Sequence, residues 1–79
     1  MQFYFSKQAE KYIDRCDKIT RDRLLTAIFK LPFGDVAKLQ GFKDEYRLRV
    51  GDLRVLFHMD SEIIKVNKVL PRGNAYNKI

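Results

Sequence analysis

The chain has 79 residues, 46% hydrophobic and 13% aromatic, with two prolines and one cysteine. That length suits one small domain, residues 1–79, with a single modest core, and that composition excludes disorder as the resting state. A formal charge of +6 favours an anionic partner, whether nucleic acid, an acidic protein or an anionic surface. The lone Cys16 excludes an internal disulfide framework and a Cys-rich zinc site. No apolar run approaches membrane-spanning length, and the N-terminus lacks a signal peptide's charged-then-apolar layout, so a cytoplasmic chain is expected.

Gln2 to Phe5 reads as a short aromatic strand, and Ser6 as the cap of the helix that follows. In that helix Ala9, Tyr12, Ile13 and Cys16 recur at helical spacing and leave Lys7, Lys11, Asp14 and Arg15 outside. Cys16 falls on the apolar stripe, as a buried and inert thiol would. Thr20 is the expected cap of a second helix with Leu24, Ala27, Ile28 and Leu31 inward, ended with the help of Pro32. Both stripes are explained by core packing. Phe33 to Lys43 is expected to be connecting chain. Strands follow at about Glu45 to Val50, Leu53 to Met59 and Ile63 to Leu70, and the polar tail from Pro71 to Ile79 is too short for another core element. The order β-α-α-β-β-β predicts an α+β domain, with two helices covering one face of a mainly antiparallel sheet.

The other face is set by Tyr46-Arg47-Leu48-Arg49-Val50-Gly51-Asp52-Leu53-Arg54. Strict alternation sends Arg47 and Arg49 one way and Tyr46, Leu48 and Val50 the other. Gly51-Asp52 is a two-residue, Gly-first turn that pairs Val50 with Leu53 and therefore Arg49 with Arg54. Directly opposed like charges destabilise a sheet, so this pairing makes sense if an anion belongs between them. The same count puts Glu45 opposite His58. For the last strand, a three-residue loop from Asp60 to Glu62 would pair Lys68 with Arg54 and bring Arg72 to the same face. It would also point Lys65 and Asn67 at the helices, unless a bulge relieves them. A two-residue loop keeps the core and turns Arg72 away. The first arrangement, with a bulge or edge exposure, is the expectation.

Arginine presents a planar fork of donors that matches a phosphate, and it stays protonated. Converging guanidiniums suit an RNA backbone and the extra charge of a phosphorane-like transition state, but they cannot remove a proton. If the chain cleaves RNA through the ribose 2′-hydroxyl, His58 is the candidate base, oriented by Glu45. A purely structural His–Glu pair explains the same two residues equally well. Tyr76 could stack on a base, position a phosphate or donate a proton. The sequence carries no Gly-rich phosphate loop, His/Cys metal cluster or Ser-His-Asp arrangement, so no cofactor or metal is implied.

With these residues in place, the chain resembles the RelE/ParE superfamily of bacterial type II toxins, RelE-like members in particular. The resemblance spans nearly the whole chain. It rests on Lys38-Leu39-Gln40-Gly41, on the run from Tyr46 to Val55, and on Pro71-Arg72-Gly73-Asn74-Ala75-Tyr76. It implies a growth-arresting toxin held by a small acidic antitoxin, one that cuts the mRNA codon in the ribosomal A site. Attack by the 2′-hydroxyl would leave a cyclic phosphate. By position, Arg47 and Arg49 match basic residues, often lysines, that line such sites. Arg54 and Arg72 match arginines assigned to phosphate contact and transition-state stabilisation, and Tyr76 matches a substrate-orienting tyrosine. Lys68 joins Arg47, Arg49, Arg54 and Arg72 in the expected phosphate-binding set. ParE-like members share the fold and poison DNA gyrase without cutting RNA, which is one alternative reading; a non-catalytic RNA-binding module or decayed toxin is the other.

Overall fold

The computed structural model describes residues 1–71. In chain order they form β1 (Gln2–Phe5), α1 (Lys7–Arg15), α2 (Lys18–Phe29), β2 (Val36–Lys38), β3 (Glu45–Val50), β4 (Leu53–Met59) and β5 (Ile63–Pro71). Ser6 starts α1 as expected: its Oγ accepts from the Ala9 amide at 3.1 Å. The same hydroxyl donates to the Asn67 carbonyl at 2.6 Å, tying the start of α1 to β5. The second cap differs from expectation. Asp17 caps α2 by accepting from the Thr20 amide at 3.2 Å, so Thr20 stands inside the first turn. An ionised carboxylate at an N-terminus also meets the positive end of the helix dipole, an advantage a threonine lacks.

The strands make one sheet in the order β1-β5-β4-β3-β2, parallel between β1 and β5 and antiparallel elsewhere. β2 lies within the stretch expected to be connecting chain. Its three residues carry no alternation of their own and are strand only because Val36, Ala37 and Lys38 pair with Leu48, Arg47 and Tyr46. The β3–β4 hairpin has the expected register, Val50 opposite Leu53 around Gly51 at φ 57°. Only a residue without a Cβ takes that backbone cheaply.

The β5 register corrects the sequence expectation. Asp60 N–H donates to the Ile63 carbonyl, so the loop is two residues, and Met59 pairs with Ile64. A bulge opposite Leu56 and Phe57 then shifts the ladder, setting Lys68 opposite Leu56 and Leu70 opposite Arg54. The physical reason is the core. Ile64, Val66 and Val69 are all fully buried, and they share a face only if one extra residue, Asn67, is inserted between the last two. Lys65 thereby stays exposed.

The core joins Ala9 and Ile13 of α1, Leu24 and Ile28 of α2, Leu31, and Leu48, Val55, Phe57, Ile64, Val66 and Val69 of the sheet. Tyr46 stacks on Phe57 at 5.5 Å between ring centroids, across the hairpin on this inner face. Such stacking is worth about 0.5–1.5 kcal/mol beyond the area it buries. Tyr12, Cys16 and Ala27 of the expected stripes are half-buried at the margin. Burial chiefly raises the pKa of the Cys16 thiol, as expected for an inert one. No helix among the described residues is long and apolar enough to cross a membrane.

Candidate functional site

The side chains of β2 to β5 that carry the predicted site form three rows across the sheet face turned away from the helices. The first row runs Asp35, Arg49, Arg54, Leu70; Asp35 extends β2 by one residue, its carbonyl accepting from the Arg49 amide at 3.0 Å. The second runs Ala37, Arg47, Leu56, Lys68. In the third, Glu45 faces His58 and His58 faces Lys65. Neighbouring strands stand about 4.8 Å apart and alternate residues along a strand about 6.6 Å apart, so Arg47, Arg49 and Arg54 lie within reach of one anion. Lys68 shares the face but sits beside Leu56, one row from its expected position opposite Arg54. Arg72 and Tyr76 lie outside the described residues.

The arginines are not equivalent. Arg47 Nη1 meets Asp35 Oδ1 at 3.4 Å, and Arg49 Nε lies 3.7 Å from Asp35 Oδ2. Arg54 is only 5% exposed, and its Nε and Nη1 have no hydrogen-bond partner among the described residues. A buried guanidinium without an acceptor costs several kilocalories per mole of solvation, roughly, unless something anionic meets it. Leu56 is buried on this side too, apart from the core cluster, and gives Arg54 a low-dielectric neighbour. That environment strengthens any charge–charge contact made there. Alternation and turn made the Arg49–Arg54 juxtaposition readable from sequence. Asp35 was missed, because its position depends on a strand with no sequence signal.

His58 is held from both sides. Its Nδ1 lies 2.8 Å from Glu45 Oε2 and its Nε2 3.2 Å from Asp60 Oδ2. Glu45 Oε1 also accepts from Asn67 Nδ2 at 3.3 Å. The Glu45 and Asp60 hydrogen bonds raise the His58 pKa above its ordinary 6.5. Asp60 accepts from the Glu62 and Ile63 amides as well, and with His58 these bring its pKa down to about 2. An imidazole engaged by two carboxylates is favoured as the imidazolium, which would donate through both nitrogens. These contacts fit the structural alternative for His58 and Glu45, to which Asp60 and Asn67 are added.

A cavity of about 440 Å³ opens between α2 and β3, lined by Arg23, Ala27, Lys30, Phe33, Leu48 and Val50. It belongs to the helix side and meets the arginine row only at Asp35 and Arg49. Apart from Arg49, the predicted site residues among those described lie on the charged face and not in this cavity. No group of three metal-ligating side chains occurs among the described residues.

Residues 3–76 match the family described as the ParE toxin of the type II toxin–antitoxin system parDE. No curated protein matches the chain. Among solved structures, a chain of the archaeal RelE–RelB complex from Pyrococcus horikoshii OT3 is 32% identical, with a TM-score of 0.78 over 94% of this chain and 97% of that one. A chain of the RelB–RelE complex from Methanococcus jannaschii is 23% identical, with a TM-score of 0.76 over 94% and 95%. A chain of the intact Escherichia coli RelBE complex is also 23% identical, at 0.68 over 89% and 94%. The last two bear on the fold alone. Sequence family and structural neighbours thus carry different branch names on one architecture.

Proposed function

The chain belongs to the ParE toxin family of type II toxin–antitoxin systems, with RelE-like structural neighbours, and from that premise we propose that it is a ribosome-dependent endoribonuclease that cuts mRNA in the A site. The observation that carries this reading is Arg54, buried beside Arg49 with two nitrogens unbonded among the described residues. In the proposed reaction the 2′-hydroxyl gives its proton to water as its oxygen forms a bond to the adjacent phosphorus, and the bond from phosphorus to the 5′-oxygen breaks as that oxygen takes a proton from water. The products are a 2′,3′-cyclic phosphate and a free 5′-hydroxyl. Arg54 holds the phosphate and takes up the charge that develops on its oxygens, while Arg47, Arg49 and Lys68 hold the flanking backbone. Arg72 and Tyr76, the other expected members of the site, lie outside the described residues. His58 and Glu45 serve as a rigid charged pair beside it. The proton acceptor is then none of the arginines and not His58.

The partners in this proposal are the ribosome with its mRNA and a cognate acidic antitoxin of the RelB kind, all in the cytoplasm. The reading is supported by the P. horikoshii relative, which was solved as a complex with RelB. The test is inducible expression followed by primer-extension mapping of message 5′ ends, for wild type and Arg54→Gln. New ends within codons are expected for wild type. The variant should lose them by a factor of about 10²–10³, the scale of removing one transition-state donor. Growth arrest with intact messages would sink the proposal.

The family name favours one second reading, a gyrase poison. It predicts trapped gyrase–DNA complexes and damage signalling on induction, with messages uncut.

A further inference from the structure

Asp35 is the acid that meets this basic face. It reaches Arg47 at 3.4 Å and Arg49 at 3.7 Å, and it leaves Arg54 unpaired among the described residues. Its placement is built in rather than a chance of side-chain rotation. The Arg49 amide and Arg47 Nη1 both donate to the Asp35 carbonyl, at 3.0 and 3.4 Å. The preceding Gly34 turns at φ 118°, a backbone that favours glycine, and the Val36 amide closes the turn on the Gly34 carbonyl. The main chain of residue 35 is thus fixed to β3, with its carboxylate directly across from Arg49. The contacts made by the carboxylate itself are long, and the group is 56% exposed. Arg49 is 48% exposed, so its pair with Asp35 is of the kind that contributes little and is readily exchanged, whereas Arg47 is 13% exposed and its pair is the firmer of the two.

We infer that Asp35 is a built-in stand-in for substrate phosphate: it neutralises Arg47 and Arg49 in the free protein and is displaced when a nucleic-acid backbone occupies the face. The inference rests on the proposed reading of that face as a phosphate-binding surface. It divides the site into two parts. Arg54, without a partner among the described residues, is the seat for an anion, and Arg47 with Arg49 is a compensated flank that engages only by exchange. A monodentate, solvated carboxylate at long distance is a weak competitor against a phosphate that can take a guanidinium fork in bidentate fashion. The exchange therefore needs no movement of β3. It lowers affinity for any polyanion that occupies the flank, and proportionately most for one that makes no further contact at Arg54. Asp35 in this way bears hardest on diffuse anion binding and least on correctly seated backbone.

The experiment is titration of the full chain with a short unstructured RNA oligonucleotide, read by fluorescence anisotropy at several salt concentrations. Asp35→Asn should tighten binding by about 3- to 10-fold, the scale of one or two exposed pairs released. Its salt slope should steepen by about 0.7, one additional single-strand phosphate contact. Asp14→Asn, on the exposed side of α1, makes the same change in net charge away from the face and should bind like wild type. Binding by Asp35→Asn that is unchanged or weaker, or equal tightening by Asp14→Asn, overturns the inference. Arg54→Gln separates the two levels of failure. If it weakens oligonucleotide binding while Asp35→Asn does not tighten it, only the role of Asp35 falls. Should neither variant alter binding, the phosphate-binding reading of the face falls as well.

Discussion

Arg54 shows what a functional residue costs its own fold. Its position as second residue of β4, the middle strand of the sheet, comes from plain alternation, with Val55 and Phe57 turned to the core and Arg54, Leu56 and His58 to the other side. A hydrophobic residue would satisfy that position better, because Arg54 is 5% exposed and two of its nitrogens lack an acceptor among the described residues. Arg54→Met is therefore expected to stabilise the isolated protein by about 1–3 kcal/mol in urea unfolding while abolishing growth arrest. A destabilised variant would mean that the guanidinium is already satisfied. His58 behaves in the opposite sense. Its pKa is raised in the folded state, so its bonds to Glu45 and Asp60 stabilise fully below about pH 6.5 and fade as pH climbs through the folded value. Asp60, lowered from 3.8 to about 2, contributes above its ordinary value and loses that contribution as pH falls toward 2. Both effects are complete only between roughly pH 4 and pH 6.5. Thermal melts of wild type and His58→Gln should lie furthest apart near pH 6 and converge toward pH 9. A gap that widens with rising pH would show that His58 is held neutral and is free to act as a base.

The hairpin of β3 and β4 was legible residue by residue because its turn is specified locally. Gly51 allows the left-handed backbone, two residues close the loop, and every cross-strand pair follows from that count. The β4–β5 connection lacks such a marker. Asp60 makes the tight loop by accepting from the Glu62 and Ile63 amides, a local bond pattern that several Asp/Ser/Glu spacings could imitate. The sequence suggested a bulge or edge exposure only as relief for Lys65 in the three-residue-loop register. The bulge occurs instead in the two-residue-loop register, because no regular strand turns Ile64, Val66 and Val69 inward together. β2 was illegible for a different reason: Val36–Lys38 is strand through tertiary pairing alone, and Asp35 was hidden with it. The bulge yields its own prediction. Deleting Asn67 forces a choice between burying Ile64 with Val66 and burying Val69, so at least one large aliphatic side chain is expelled. Urea melts should show a loss of about 3 kcal/mol or more, given roughly 1.5–3 kcal/mol per side chain and the lost Ser6 and Glu45 contacts. Asn67→Ala keeps the extra residue and should lose only about 1 kcal/mol. Equal losses would locate the effect in the amide rather than in the register.

At the scale of the molecule, the sheet order places the charged face on its most constrained strand. β4 lies between β5 and β3, while β1 and β2 occupy the edges, β2 with only three residues. Arg54 is thus held in the middle of the sheet, and Asp35 sits beside its shortest strand, where local opening costs least. A rigid seat beside an exposed carboxylate, free to move by its own side chain, suits the exchange of that carboxylate for a phosphate. The net charge of +6 alone would predict diffuse binding to any polyanion. Diffuse binding and seated binding differ in how they respond to salt. Contact through Arg47, Arg49, Arg54 and Lys68 engages about three backbone phosphates, which gives a single-strand slope near −2 in log–log form. Between 50 and 200 mM salt, affinity for a short RNA oligonucleotide should then fall by about 20-fold. Binding that recruited the full net charge would give a slope near −4 and a fall of about 300-fold over the same range. Arg54→Gln should weaken binding and flatten the slope by about 0.7, whereas replacing Lys11 on the outer side of α1 should leave both unchanged. A steep slope that responds equally to either substitution would mean that the arginine row is no more than part of a general basic surface.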